Sequence, residues 1–164
     1  MSYEEYRKLQ DRRARKFLSP LKDILAAGNL KYVLVAYDGG GDSGQFNFGS
    51  FKSNKKGSRE CQGKAAIAKL TQKVNTAGFS QHFDSTTQEW VETPTTSEVE
   101  MWEWFVDAAH FAVSIYHAGW ENNEGGFGTV RFTPEGIKVD HSEYVLKIEE
   151  FKHDTIIEEL TDVD

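Results

Sequence analysis

The stretch 32-YVLVAYDGGGDSGQFNF-48 decides the fold. Its first half is apolar and β-branched, as a buried strand requires. The glycines at 39, 40, 41 and 44 then supply both a literal GxGxxG and a GDSG string. A dinucleotide fingerprint needs such glycines to open a helix whose N-terminus receives the pyrophosphate. Here they run into Gln45-Phe46-Asn47-Phe48, which alternates polar and apolar like a strand. No Gly-Lys-Ser/Thr follows, which excludes a phosphate loop. A calcium loop counted from Asp38 would need its bidentate Glu at Gly49. A nucleophile at Ser43 needs a general base and an orienting third group, and this short chain lacks the double-barrel strand pattern that would bring a histidine to it. What survives is strand, turn and strand, with glycines at positive φ in the turn and a bulge at Gly49.

Working outward, residues 3–18 predict a helix with a basic back face, and Ser19-Pro20 starts a second one that stops at Gly28. Residues 53–58 read as a loop and residues 59–76 as a weaker helix ended by Gly78. Residues 79–96 are polar and Thr-rich, with a short strand at 89–91. Ser97-x-x-Glu100 reads as a capping box for a long apolar helix through Ala118, closed by Gly119. Three strands follow at 126–132, 137–141 and 144–151, the first two joined across Pro134-Glu135-Gly136, and a short helix spans Asp154 to Leu160. Strands linked by turns and helices in separate blocks predict an α+β fold. Its largely antiparallel sheet has about five to six strands, with a long central helix and further helices packed on one face.

A chain of 164 residues with 38% hydrophobic residues supports one domain over 1–164, with residues 1–28 as a basic helical segment on the core. The N-terminus lacks the apolar stretch of a secretion signal, and no apolar run approaches membrane-spanning length, so the expected location is cytoplasmic. The single Cys61 excludes an intramolecular disulfide and a thiolate-rich zinc site. Charge is lopsided: residues 1–73 carry 15 Lys/Arg against 7 Asp/Glu, and the remainder 4 against 19. Residues 74–130 contain no Lys or Arg. Either the basic segment folds back on the acidic part, or an acidic surface meets a basic protein partner. Nucleic-acid binding is left only to Arg12, Arg13, Arg15 and Lys16.

Two further features carry chemistry. Residues 119–128, GWENNEGGFG, repeat the glycine, acid and amide theme directly after the central helix. If this loop meets the first one, Asp38, Asp42, Ser43, Gln45, Trp120, Glu121, Asn122, Asn123 and Glu124 form a binding site. Asp38, Asp42 and Glu121 would then be the metal-ligand alternative. Along the helix, Glu103, Asp107, His110, Ser114, His117 and Glu121 recur at 4, 3, 4, 3 and 4. They share one stripe, so Asp107, His110 and His117 are the catalytic candidates if the protein is an enzyme. Seven residues separate the two histidines by roughly 10 Å of helix, too far to share one ion. His82, His141 and His153 have no companions in the sequence and read as surface residues.

The pairing of YDGGGDSGQ with GWENNEGGFG across a long helix resembles a family of small uncharacterised bacterial and phage proteins, a domain of unknown function. The resemblance covers roughly residues 30–150 and implies a setting, that of a bacterial or mobile-element accessory protein, but no activity. The leading expectation is a small non-enzymatic protein that presents an acidic surface to a basic partner. The alternative is a metal-binding or hydrolytic module with its site between loops 38–45 and 119–126. No cofactor is expected outside that alternative, which admits a divalent ion.

Overall fold

The computed structural model describes residues 1–122, 124–145 and 147–151. The decisive stretch forms a hairpin of β1 (Leu30–Gly40) and β2 (Ser43–Ser53). Its turn residues Gly41 and Asp42 have φ of 60° and 68°, the double positive φ of a two-residue primed turn. The β1–β2 register slips between Leu34 and Val35, and the skipped residue on β2 is Gly49. With β3 (Cys61–Gln62), β6 (Gly126–Thr133) and β7 (Gly136–Glu143) the hairpin builds a five-stranded antiparallel sheet in the order β3-β2-β1-β6-β7.

Alternate residues of β1 define the covered face: Val33, Val35 and Tyr37 are buried, and Phe48, Val130 and Phe132 from the neighbouring strands join them. Helix α4 (Met101–Tyr116) lies on that face and buries Trp104, Phe105, Ala108, Ala109, Ala112 and Val113. Each large side chain removed from water in this way contributes roughly 1.5–3 kcal/mol. Helix α1 (Tyr3–Leu18) begins with a capping box between Ser2 and Glu5. It packs on α4 through Phe17, stacked on Trp104 at 5.5 Å. The short helices α2 (Leu21–Ala27) and α3 (Gly63–Lys69) complete the helical layer.

Several sequence expectations need correction. The helix expected over 59–76 is only α3, and the polar stretch beyond it is a two-stranded ribbon. β4 (Lys73–Asp84) pairs with β5 (Glu89–Glu100) over twelve unbroken steps, from Lys73↔Glu100 to Asp84↔Glu89. Gly78, expected to end a helix, sits mid-strand opposite Thr95. Of this ribbon the sequence shows only the short strand at 89–91, now part of β5, because most ribbon residues are exposed and no buried face imposes an alternating pattern. The central helix starts later than the Ser97 box implies. Ser97 belongs to β5, and the Glu100 N–H donates to Glu103 Oε2 at 3.0 Å instead.

The helix also ends earlier, at Tyr116, and β7 runs on to Glu143. Tyr144, Val145 and residues 147–151 form no strand. The helix expected from Asp154 to Leu160 lies outside the described residues, as do Asn123 and His153. The basic segment folds back on the acidic one. Arg13 pairs with Glu92 on the ribbon, and Arg13 and Lys16 lie over the Phe79 ring at 5.3 and 5.2 Å. Arg15 pairs with Asp11 on α1 itself, and Arg12 is exposed.

Candidate metal centre

The two glycine motifs meet. The backbone N–H of Asp42 donates to the carbonyl of Glu121 at 3.2 Å, and Trp120 lies on the cross-strand pair Gly39↔Gly44. A Cβ at Gly39 would come 2.6 Å from Trp120 Cζ3, and one at Gly44 would collide with the indole outright. The glycines therefore provide a flat seat for a buried tryptophan.

Around this seat the expected site residues separate into two places. Asp38, Ser43, Gln45 and Glu124 line an open groove of about 420 Å³ with Tyr144. Ser43 Oγ lies 3.5 Å from the Gly40 carbonyl, its one side-chain hydrogen bond among the described residues. Asp107 and His110 line a cleft of about 720 Å³ between α1 and α4, with Trp120, Glu121 and Asn122 at its loop end. Desolvation raises the Asp107 carboxyl above its ordinary pKa. Glu103 pushes the same way and His110 opposes them.

His117 goes elsewhere. It leaves helical geometry at φ −130° and ψ 50°, which carries its ring off the α4 stripe and onto His141 of β7. The two imidazoles face each other with centroids 3.9 Å apart and 24° between planes. His141 is corrected from surface residue to one whose side chain is buried: that side chain is 4% exposed, and Gly126 on the neighbouring strand leaves room for its ring. Glu143 lies two residues further along β7 and so on the same face. Its Oε1 is 3.4 Å from His141 Nε2. One ligand atom from each of His117, His141 and Glu143 falls within 4.8 Å of the others. Among the described residues this is the one such grouping of three metal-ligating side chains, and it does not include Asp38, Asp42 or Glu121.

The electrostatics suit a ligand set. His141 Nε2 is buried and has no hydrogen-bond partner among the described residues. His141 Nδ1 is hydrogen-bonded to the Tyr37 hydroxyl at 2.6 Å. Burial lowers the His117 pKa, the adjacent His141 lowers it further and Glu143 acts against both, which favours the neutral, ligating imidazole. Burial, followed by the charge of Asp140, pushes the Tyr37 phenol up to about 12, so it stays protonated.

A continuous ring stack leads from the cleft to this centre. His110 lies on Phe46 at 5.4 Å, Phe46 on Tyr37 at 5.2 Å and Tyr37 along His141 at 5.8 Å. Trp120 meets both Tyr37 and Phe46 edge-on. The glycine-seated indole is thus the wall against which the metal-side residues are packed.

The sequence shows Asp107, His110 and His117 as a stripe, and the end of α4 divides it. It gives no sign of His141 or Tyr37, since their meeting depends on the register β1–β6–β7. The local signal available was 141-HSE-143: a strand reading of those three residues places His and Glu on one face.

No helix among the described residues is long and apolar enough to cross a membrane. No curated protein and no solved structure matches the chain. Residues 16–155, which contain both glycine motifs and all three grouped ligands, match the model of a family described as Family of unknown function (DUF6878), and the chain belongs to that family.

Proposed function

We propose that the protein binds a divalent transition ion of the zinc class through His117, His141 and Glu143. Two imidazoles and one carboxylate form the mixed nitrogen and oxygen set that suits zinc, cobalt and nickel better than magnesium or calcium. The observation that carries this reading is the buried Nε2 of His141, without a hydrogen-bond partner among the described residues and 3.4 Å from Glu143 Oε1, in a group whose three residues each bring a ligand atom within 4.8 Å of the others. A buried nitrogen left without a partner is costly, and an ion at that position supplies one. His141 is held by Tyr37, while the His117 side chain has no hydrogen bond among the described residues and can turn edge-on to a shared ion. Three protein ligands leave a fourth position for water or substrate, the arrangement that supports Lewis-acid and hydrolytic chemistry. Cobalt substitution tests the site: tetrahedral visible bands are expected for the intact chain and should vanish in His117→Gln. A featureless spectrum in the intact chain would contradict the reading.

A second reading rests on the ribbon tip. Phe83 and Trp90 form an exposed cross-strand pair there, 52% and 70% exposed, flanked by Asp84 and Glu89. This is the surface through which an accessory protein of the bacterial or phage cytoplasm would meet a basic partner. On the ribbon and at the start of α4, Glu92 is engaged by Arg13, Glu100 by the Trp102 indole, Glu103 by the Glu100 N–H and Asp84 by the Thr86 N–H, so Glu89 and Glu98 are the ribbon acids without a side-chain partner among the described residues. Charge reversal at Glu89 should weaken a salt-sensitive complex more than reversal at Glu98, further from the tip. Equal effects would remove the tip from consideration.

A further inference from the structure

Tyr37 lies outside the ligand set, yet it makes the closest polar contact to it. We infer that Tyr37 is the positioning residue that lets His141 ligate through Nε2, and that ion binding reverses the direction of the Tyr37–His141 hydrogen bond. This rests on the metal reading above.

The two nitrogens of a neutral imidazole share one proton, and the bond made by one nitrogen sets the role of the other. Without an ion, the arrangement that strands fewest buried groups has the Tyr37 hydroxyl donating to Nδ1 and the proton of His141 on Nε2. That Nε2–H then has no hydrogen-bond partner among the described residues, with Glu143 Oε1 3.4 Å from Nε2. The opposite tautomer would leave Nε2 as a bare acceptor and deprive the Tyr37 hydroxyl of its Nδ1 acceptor, in the same buried pocket. An ion at Nε2 reverses the preference. The Nε2–H bond is lost, an Nδ1–H bond forms, and His141 stays neutral with no net change in its protons. The new Nδ1–H needs an acceptor, and the Tyr37 oxygen at 2.6 Å is the one in place. Ligating histidines commonly hold a partner on their second nitrogen in this manner, and losing that partner weakens metal affinity by about 10- to 100-fold.

Geometry keeps Tyr37 in this role. Its side chain is 2% exposed, its ring is wedged between Phe46 and His141, and Trp120 closes its edge. Tyr37→Phe keeps all of those ring contacts and removes only the acceptor. A structural role for the ring would therefore leave zinc affinity unchanged in that variant, whereas a positioning role would not.

The test uses the full chain, labelled with nitrogen-15, and long-range proton–nitrogen correlation of the imidazoles with and without zinc. His141 is expected as the Nε2–H tautomer without zinc and the Nδ1–H tautomer with it. Zinc titration of Tyr37→Phe should give a Kd about 10- to 100-fold weaker than the unaltered chain. Equal affinity in the two proteins, or an unprotonated Nδ1 in the zinc form, would overturn the inference while leaving the metal site standing. No zinc-dependent change at either histidine of the unaltered chain would overturn the metal reading and this inference with it. The tautomer measurement needs no variant, so a Tyr37→Phe chain that failed to fold would not remove the test.

Discussion

The backbone N–H of Asp42 donates to the carbonyl of Glu121 across 3.2 Å, joining the tip of the first hairpin to the loop that leaves the central helix. Two motifs distant in sequence are thereby one structural unit, in which the first supplies a floor without side chains and the second supplies the indole that covers it. The His117, His141 and Glu143 group stands on the far side of this unit, reached through Tyr37.

Gly44→Ala tests the seat directly. Its Cβ has no room against Trp120, so the indole or the hairpin must move, which costs about 1–3 kcal/mol. Gly41→Asn, in the same turn but in open space at a φ that Asn tolerates, should change stability by less than about 1 kcal/mol. Urea denaturation of the two variants checks the contrast. Equal stability of both variants would show that the indole does not depend on that floor.

Glu92→Gln should destabilise the chain by about 1–2 kcal/mol, more than a surface ion pair is worth and less than a fully buried one. The reason is that Arg13 is largely covered, with a side chain 17% exposed, and its buried Nε has no hydrogen-bond partner among the described residues, so Glu92 is the one counter-charge its guanidinium meets there. Denaturation at low and high salt measures the loss. A change within error would mean that the basic helix is held by its packing rather than by this ion pair.

Asp107 provides a pH signature. Its carboxyl titrates above the ordinary value of 3.8, so the folded state holds that proton more tightly than the unfolded chain does. Stability therefore falls as pH rises from 3.8 through the raised folded value, and the burden persists at neutral pH. Asp107→Asn mimics the protonated form and removes the fall. The advantage of the variant over the parent should grow across that window and then level off. The effect is small because the residue is solvent-exposed, and it is read as the difference between two stability–pH curves. A constant difference at all pH values would show that Asp107 is not strained by its surroundings.

The hairpin was legible because alternation resumes at Gln45 immediately after the glycines, and only a strand accepts that pattern. The central helix was legible for the complementary reason, its apolar stripe being broad enough to require burial. The ribbon was not, since strands exposed on both faces have no hydrophobic period to display. Legibility of the site divides at Tyr116. A helix continued through His117 would keep it on the stripe, and its ring reaches His141 because the helix stops at Tyr116. The His141 side chain is buried through its cross-strand position beside Gly128, a pairing that no local property of its own segment specifies.

Isothermal titration of zinc into the full chain, with His117→Gln and Glu143→Gln in parallel, is the most direct measurement of the central claim. One ion per chain is expected for the unaltered protein, with at least tenfold weaker binding in each variant, about 1.4 kcal/mol or more. Zinc heats that are absent, or that both variants reproduce unchanged, would contradict a metal centre at His117, His141 and Glu143.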